Sequence, residues 1–222
     1  MSGSGDESVA ARVLRHTALS APALVPEVRV HRVTHESPLW RMGEAGLRAL
    51  SDTDPFWAFT WEGGTALARY VLDHPEVVRG RTVFDLGCGS AVEGVAACLA
   101  GAREVIANDL DPLALAAAAL TAEANGARLT LDPRDRVGDA LEGVDVLLLG
   151  DMTYEPELSA RLLAWGAELA ARGVTVLLGD PGRGNLDDAS VERLAAYPVL
   201  VNDPTLPRCE RETGVFTLRR GG

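Results

Sequence analysis

Two glycines one residue apart, Gly87 and Gly89, close the apolar run Thr82–Leu86, and a carboxylate, Asp109, stands about twenty residues further on, where the next apolar run ends. Glycine lets the main chain turn sharply and approach a ligand closely. A carboxylate at that distance is placed to accept hydrogen bonds from both hydroxyls of a ribose. Asp111 precedes Pro112 and reads as a helix N-cap, which leaves Asp109 for the sugar. The dinucleotide fingerprint needs a third glycine at the position that Val92 occupies, so the pattern points away from a dinucleotide and toward an adenosine-containing cofactor. A second chemical feature lies upstream. Trp57, Phe59 and Trp61 form a dense aromatic group next to Gly63-Gly64, able to wall a cofactor or a substrate channel. Arg183, in Asp180-Pro181-Gly182-Arg183, is placed to bind an acidic partner, to close over a product, or to bridge to Asp180. The four histidines show no ligand spacing, and Cys88 has no basic neighbour to make it a nucleophile.

These residues need a scaffold that brings strand ends together. Strands are expected at Thr82–Leu86, Glu104–Asn108, weakly at Arg128–Leu131, at Val144–Leu149 and at Val174–Leu178. Helices are expected at Val92–Ala100, Pro112–Asn125, Pro156–Ala171 and Asp187–Ala196. This alternation predicts an α/β fold: a doubly wound, seven-stranded, mostly parallel sheet of Rossmann-like type. Val199–Asn202 and Val215–Leu218 lack a long helix between them and predict an antiparallel hairpin at one edge. Upstream, a short helix within residues 9–20, a half-exposed strand Glu27–Val33, near-helical spacing over Pro38–Leu50 and a helix from Thr65 to Asp73 complete an N-terminal helical and strand extension. Residues 1–60 then read as tail and cap, and 61–222 as the cofactor-binding domain.

Composition narrows the partners. The 222 residues carry a formal charge of −11, with a pI near 4.8, and an acidic surface repels phosphate backbones, so nucleic acid is not expected. No apolar run is long enough to span a bilayer. Cys88, Cys98 and Cys209 form no metal spacing and suit a reducing compartment, which predicts a cytoplasmic protein without a metal. The oligomeric state is left open.

Asp85-Leu86-Gly87-Cys88-Gly89-Ser90, together with Trp61-Glu62-Gly63-Gly64, Asn108-Asp109-Leu110-Asp111-Pro112, Gly150-Asp151-Met152-Thr153-Tyr154 and Gly179-Asp180-Pro181-Gly182-Arg183, resembles the class I S-adenosylmethionine-dependent methyltransferases. The resemblance runs from about Pro26 to Leu218. Within that superfamily the chain is most similar to the bacterial relatives of electron-transfer-flavoprotein β-subunit lysine methyltransferase, also described as nicotinamide N-methyltransferase-like. The resemblance implies S-adenosylmethionine as cofactor, with Trp61, Asp85, Gly87, Gly89, Asp109 and Asp139 as cofactor-binding residues, Asp139 at the adenine amino group. It implies Asp151 and Tyr154 as catalytic residues, the carboxylate accepting an amine N–H and the ring or hydroxyl meeting the incoming nitrogen. Trp57 and Arg183 would bind substrate. The implied activity is N-methylation of protein lysine. N- or O-methylation of a small molecule is the alternative, and a binding protein that keeps the fold without catalysis is a third reading. Ala91 stands where relatives usually have a third glycine, and its methyl is expected to narrow the cofactor floor; Met152-Thr153 departs from a more apolar pair.

Overall fold

The computed structural model describes residues 7–37, 55–187, 189–201 and 209–219; the expected helix at Pro38–Leu50 lies outside them. The chain starts with α1 (Val9–His16), capped by the Ser8 side chain, then two short antiparallel strands, β1 (Ala18–Ser20) and β2 (Val30–Arg32). A 3₁₀ turn (Phe56–Ala58) leads into α2 (Glu62–Asp73). Val13, Val33, Trp57, Ala58 and Phe59 pack together on Leu113, Ala114 and Ala117, so the aromatic segment is seated on the later helix that carries those three residues.

From Thr82 onward strands and helices alternate: β3 (Thr82–Leu86), α3 (Val92–Leu99), β4 (Glu104–Asn108), α4 (Pro112–Ala124), β5 (Thr130–Asp132), β6 (Val146–Gly150), α5 (Pro156–Ala171), β7 (Thr175–Asp180), then β8 (Val191–Leu200) and β9 (Glu210–Leu218). The sheet order is β5-β4-β3-β6-β7-β9-β8. The pairs from β5 to β7 are parallel, and β9 runs antiparallel to both β7 and β8. β3 is buried at every residue, as a central strand covered on both faces must be. One face packs Val83, Val146, Leu148 and Leu177 against Leu67 and Val71 of α2; the other packs Phe84, Leu147, Leu149 and Leu178 against Leu162, Trp165 and Leu169 of α5.

The strand order reverses at β3. The chain winds outward one way through β4 and β5, then returns to lay β6 on the other side of β3. Such a reversal opens a crevice at the carboxyl ends of the strands, where ligands of open α/β sheets bind.

One expected element is corrected. Asp187–Ala196 is not a helix, because Val191–Leu200 forms a ten-residue strand paired with β9 from Val191↔Leu218 to Leu200↔Glu210, with a bulge between Arg193 and Ala195. Its Glu, Arg, Leu and Ala content suits a helix locally, but the ladder with β9 and the burial of Val191 and Val199 override that preference. The antiparallel edge pair is therefore longer than expected, and β9 lies inside it.

Candidate functional site

The crevice holds a cavity of about 490 Å³, within the size range of small-molecule sites. Each strand end contributes. Gly87–Ser90 follow β3, Asp109 and Leu110 follow β4, Asp135 and Val137 follow β5, Asp151, Met152 and Tyr154 follow β6, and Arg183 follows β7. Phe56, Trp57, Phe59 and Trp61 close it from the N-terminal side.

The turn after β3 places three alternate residues in the left-handed region: Gly87 at φ 64°, Gly89 at φ 51° and Ala91 at φ 60°. Glycine adopts this conformation freely; for Ala91 it costs about 1 kcal/mol. The Ala91 methyl packs with Cys88, Ala107 and Ala118 in the core and does not line the cavity, so the expected narrowing of the floor does not occur. The Asp109 carboxylate knits the turn to the next helix: Oδ2 accepts from the Gly89 amide at 3.0 Å and Oδ1 from the Asp111 amide at 3.0 Å. Asp111 caps α4 through the Leu113 amide at 2.8 Å, as the Asp-Pro pair implied. Burial pushes the Asp109 carboxyl above its ordinary range, while the amides of Asp111 and Gly89 oppose the shift.

The opposite wall rests on Asp151, a non-glycine residue at φ 58°. Its Oδ2 accepts from the Gly63 amide at the start of α2 at 2.7 Å. Its Oδ1 receives Nε of Arg183 at 2.7 Å and Nη2 at 2.6 Å. Burial raises the Asp151 carboxyl, and the Arg183 charge pulls it back. Arg183 therefore bridges to Asp151 and not to Asp180; Asp180 instead shapes the loop, accepting from the amides of Gly182 and Arg183 and from the Thr153 hydroxyl. α2 can sit this close because Gly63 and Gly179 have no side chains. A Cβ on either would collide with the other's carbonyl group, and one on Gly63 would lie 2.6 Å from the Asp151 nitrogen.

The mouth is aromatic. Phe56 meets Trp61 edge-on at 5.9 Å and Tyr154 at 6.1 Å, and the Arg183 guanidinium lies 5.9 Å from the Trp61 ring centroid. Phe56 is 52% exposed and Tyr154 47%. Trp61 donates its indole N–H to the Phe56 carbonyl at 2.9 Å. Trp57 is almost fully buried, its main chain runs beside Gly89, and its indole N–H has no partner among the described residues.

Eight of the ten residues expected from sequence thus border one cavity: Trp57, Trp61, Gly87, Gly89, Asp109, Asp151, Tyr154 and Arg183. Two do not. The Asp139 side chain pairs with Arg136 at 2.7 Å and its carbonyl accepts from the Trp165 indole, which turns it away; Asp135 and Val137 of the same loop line that end instead. Asp85 is sealed beneath α3, where a Cβ on Gly94 would lie 2.8 Å from its Oδ2, and neither of its oxygens has a hydrogen-bond partner among the described residues. Sequence reasoning also missed Glu93 and Phe56. Glu93 was legible only as the one charge in the apolar stretch Ala91–Ala100, a position equally explained as an acid in the first turn of a helix.

A family profile described as ribosomal protein L11 methyltransferase matches residues 56–148. The chain is 37% identical over 183 residues to the electron transfer flavoprotein beta subunit lysine methyltransferase of Xenopus laevis, covering 82% of this chain and 73% of that protein. It is 32% identical over 201 residues to the Caenorhabditis elegans homolog, covering 83% and 80%. Among solved structures, Trm5b from Pyrococcus abyssi superimposes with a TM-score of 0.52 over 91% of this chain and 56% of that one, at 13% identity, a likeness of fold.

Proposed function

The chain belongs to the electron transfer flavoprotein beta subunit lysine methyltransferase family, and on that premise we propose that it transfers a methyl group from S-adenosylmethionine to the side-chain amine of a lysine in a protein substrate. The observation that carries the reading is one cavity with two unlike ends, a carboxylate-bearing glycine turn and a half-exposed aromatic mouth.

The residues fit a nucleoside cofactor. Asp109 borders the cavity and keeps acceptor capacity beyond its two amide bonds. Asp109 would hold the ribose, with Gly87–Ser90, Leu110 and Val137 around the nucleoside. When bound, S-adenosylmethionine supplies an electrophilic methyl group on a positively charged sulfur.

The chain's own work is positioning and proton control. The rings of Phe56, Trp61 and Tyr154 suit the aliphatic stem of a lysine, and they strip water from its amine. Desolvation disfavours the ammonium form, so the amine gives its proton to water at the mouth. Asp151 has about four acceptor sites, of which Gly63 and Arg183 use three; the fourth takes an amine N–H and aims the lone pair.

Methyl-labelled S-adenosylmethionine incubated with the enzyme and purified electron transfer flavoprotein beta subunit tests this. Label is expected on a lysine of that protein and is lost with Asp151→Ala. Label found only in small molecules when a whole lysate is supplied would overturn the protein-substrate reading.

A further inference from the structure

Glu93 lies in the first turn of α3, is 95% buried by its 5% exposure, and borders the cavity. Its carboxylate fills the space that two glycines leave open. A Cβ on Gly64 of α2 would lie 2.7 Å from Oε1, and one on Gly150 of β6 would collide with the same oxygen. Two elements of the scaffold have thus given up side chains where this one acid stands.

No basic side chain answers it among the described residues. The charged groups around it are acids: Asp85 of β3 and Asp151 beyond β6, with Glu62 of α2 acting on Asp151. Arg183 is taken by Asp151, and Arg211 by Glu62 at 3.0 Å. Burial, followed by the Asp151 charge, pushes the Glu93 carboxyl up to about 7, with its own amide opposing. Buried charges are ordinarily paired; this one faces a cavity and lacks a cation.

We propose that Glu93, and not Asp85, is the carboxylate that receives the α-ammonium group of the cofactor's amino-acid arm. The assignment rests on the cofactor reading above and deepens it. Glu93 stands between Gly64 of α2 and Gly150 of β6, whereas the mouth that admits the substrate amine is made by Phe56, Trp61 and Tyr154. Its charge selects the ammonium end of the arm over the carboxylate end. Asp85 has no opening to the cavity, because α3 covers it at Gly94. At pH below about 7 Glu93 then releases a proton as the cofactor binds.

The test compares two ligands by calorimetry. S-Adenosylhomocysteine carries the amino-acid arm; 5′-methylthioadenosine keeps the adenosine and sulfur but lacks it. Glu93→Gln is expected to weaken the first by about 10- to 100-fold and leave the second within about twofold. Asp85→Asn is expected to leave the ratio of the two affinities within about twofold. An unchanged affinity for S-adenosylhomocysteine, or an equal loss for both ligands, would overturn the assignment, as would a change of ratio in Asp85→Asn. Should Glu93→Gln fail to fold, the native protein still decides: at pH 6, titrations in buffers of different ionisation enthalpy should show proton release with S-adenosylhomocysteine and none with 5′-methylthioadenosine. Equal proton release with both ligands would contradict it. A native protein that binds neither ligand defeats the cofactor reading itself, a result distinct from native binding that ignores Glu93.

Discussion

The two sides of the crevice are built differently. On the β3–β4 side the Asp109 carboxylate is held by main-chain amides of the turn and of the α4 entry, so the cradle depends on backbone shape. On the β6–β7 side the wall is an ion pair between side chains of two loops, Asp151 and Arg183, beside rings that remain half exposed. Backbone-held geometry is rigid and suits the part of the chemistry that never varies, the nucleoside. Side-chain pairs and open rings suit a partner that must enter and leave with each turnover.

The sharpest way to break this contrast is to remove one charge from each side. Asp109→Ala should cost about 100-fold or more in S-adenosylhomocysteine affinity, because it deletes the sugar acceptor and frees the Gly89 amide. Arg183→Ala should leave that affinity within about threefold while lowering methyl transfer by about 10- to 100-fold, measured as kcat. Equal effects on binding from both variants would erase the distinction.

A smaller effect concerns stability. The Glu93 carboxyl rises from 4.5 to about 7 in the folded chain. The folded state therefore holds that proton more tightly than the unfolded state does. The contribution is complete below about pH 4.5 and is lost as pH climbs through about 7. Glu93→Gln, which mimics the protonated acid, should raise Tm by several degrees more at pH 8 than at pH 5. A gain independent of pH would contradict the buried charge.

The least effect is expected at Ala91. Ala91→Gly relieves the left-handed strain but loses a buried methyl, two terms of about 1 kcal/mol with opposite sign. Tm should move by less than about 3 °C, and S-adenosylhomocysteine affinity should stay unchanged, since the methyl faces the core.

The same contrast governs how much of the molecule is legible in its sequence. The bounds of β3, β4 and α5 are legible in the sequence, because short β-branched and apolar runs and, for α5, a Glu-Pro start leave little freedom. β8 was misread because its helix-like composition is overruled by pairing with a strand from a later segment. In the site, Gly87, Gly89 and Asp109 carry local spacing that fixes their geometry. The Asp139 carboxylate lies off the cavity because one charged neighbour, Arg136, turns it aside. Glu93 was missed because its meaning lies in two distant glycines, Gly64 and Gly150, that make room for it; the Asp151–Arg183 pair likewise spans two loops that only the β6–β7 pairing brings together.

A crystal structure with S-adenosylhomocysteine tests the central claim most directly. The account predicts the ribose hydroxyls on Asp109, the nucleoside over the Gly87–Gly89 turn, and the ligand's sulfur turned toward the mouth formed by Phe56, Trp61 and Tyr154. A ligand seated away from Asp109, or with its sulfur shut off from that mouth, would contradict it.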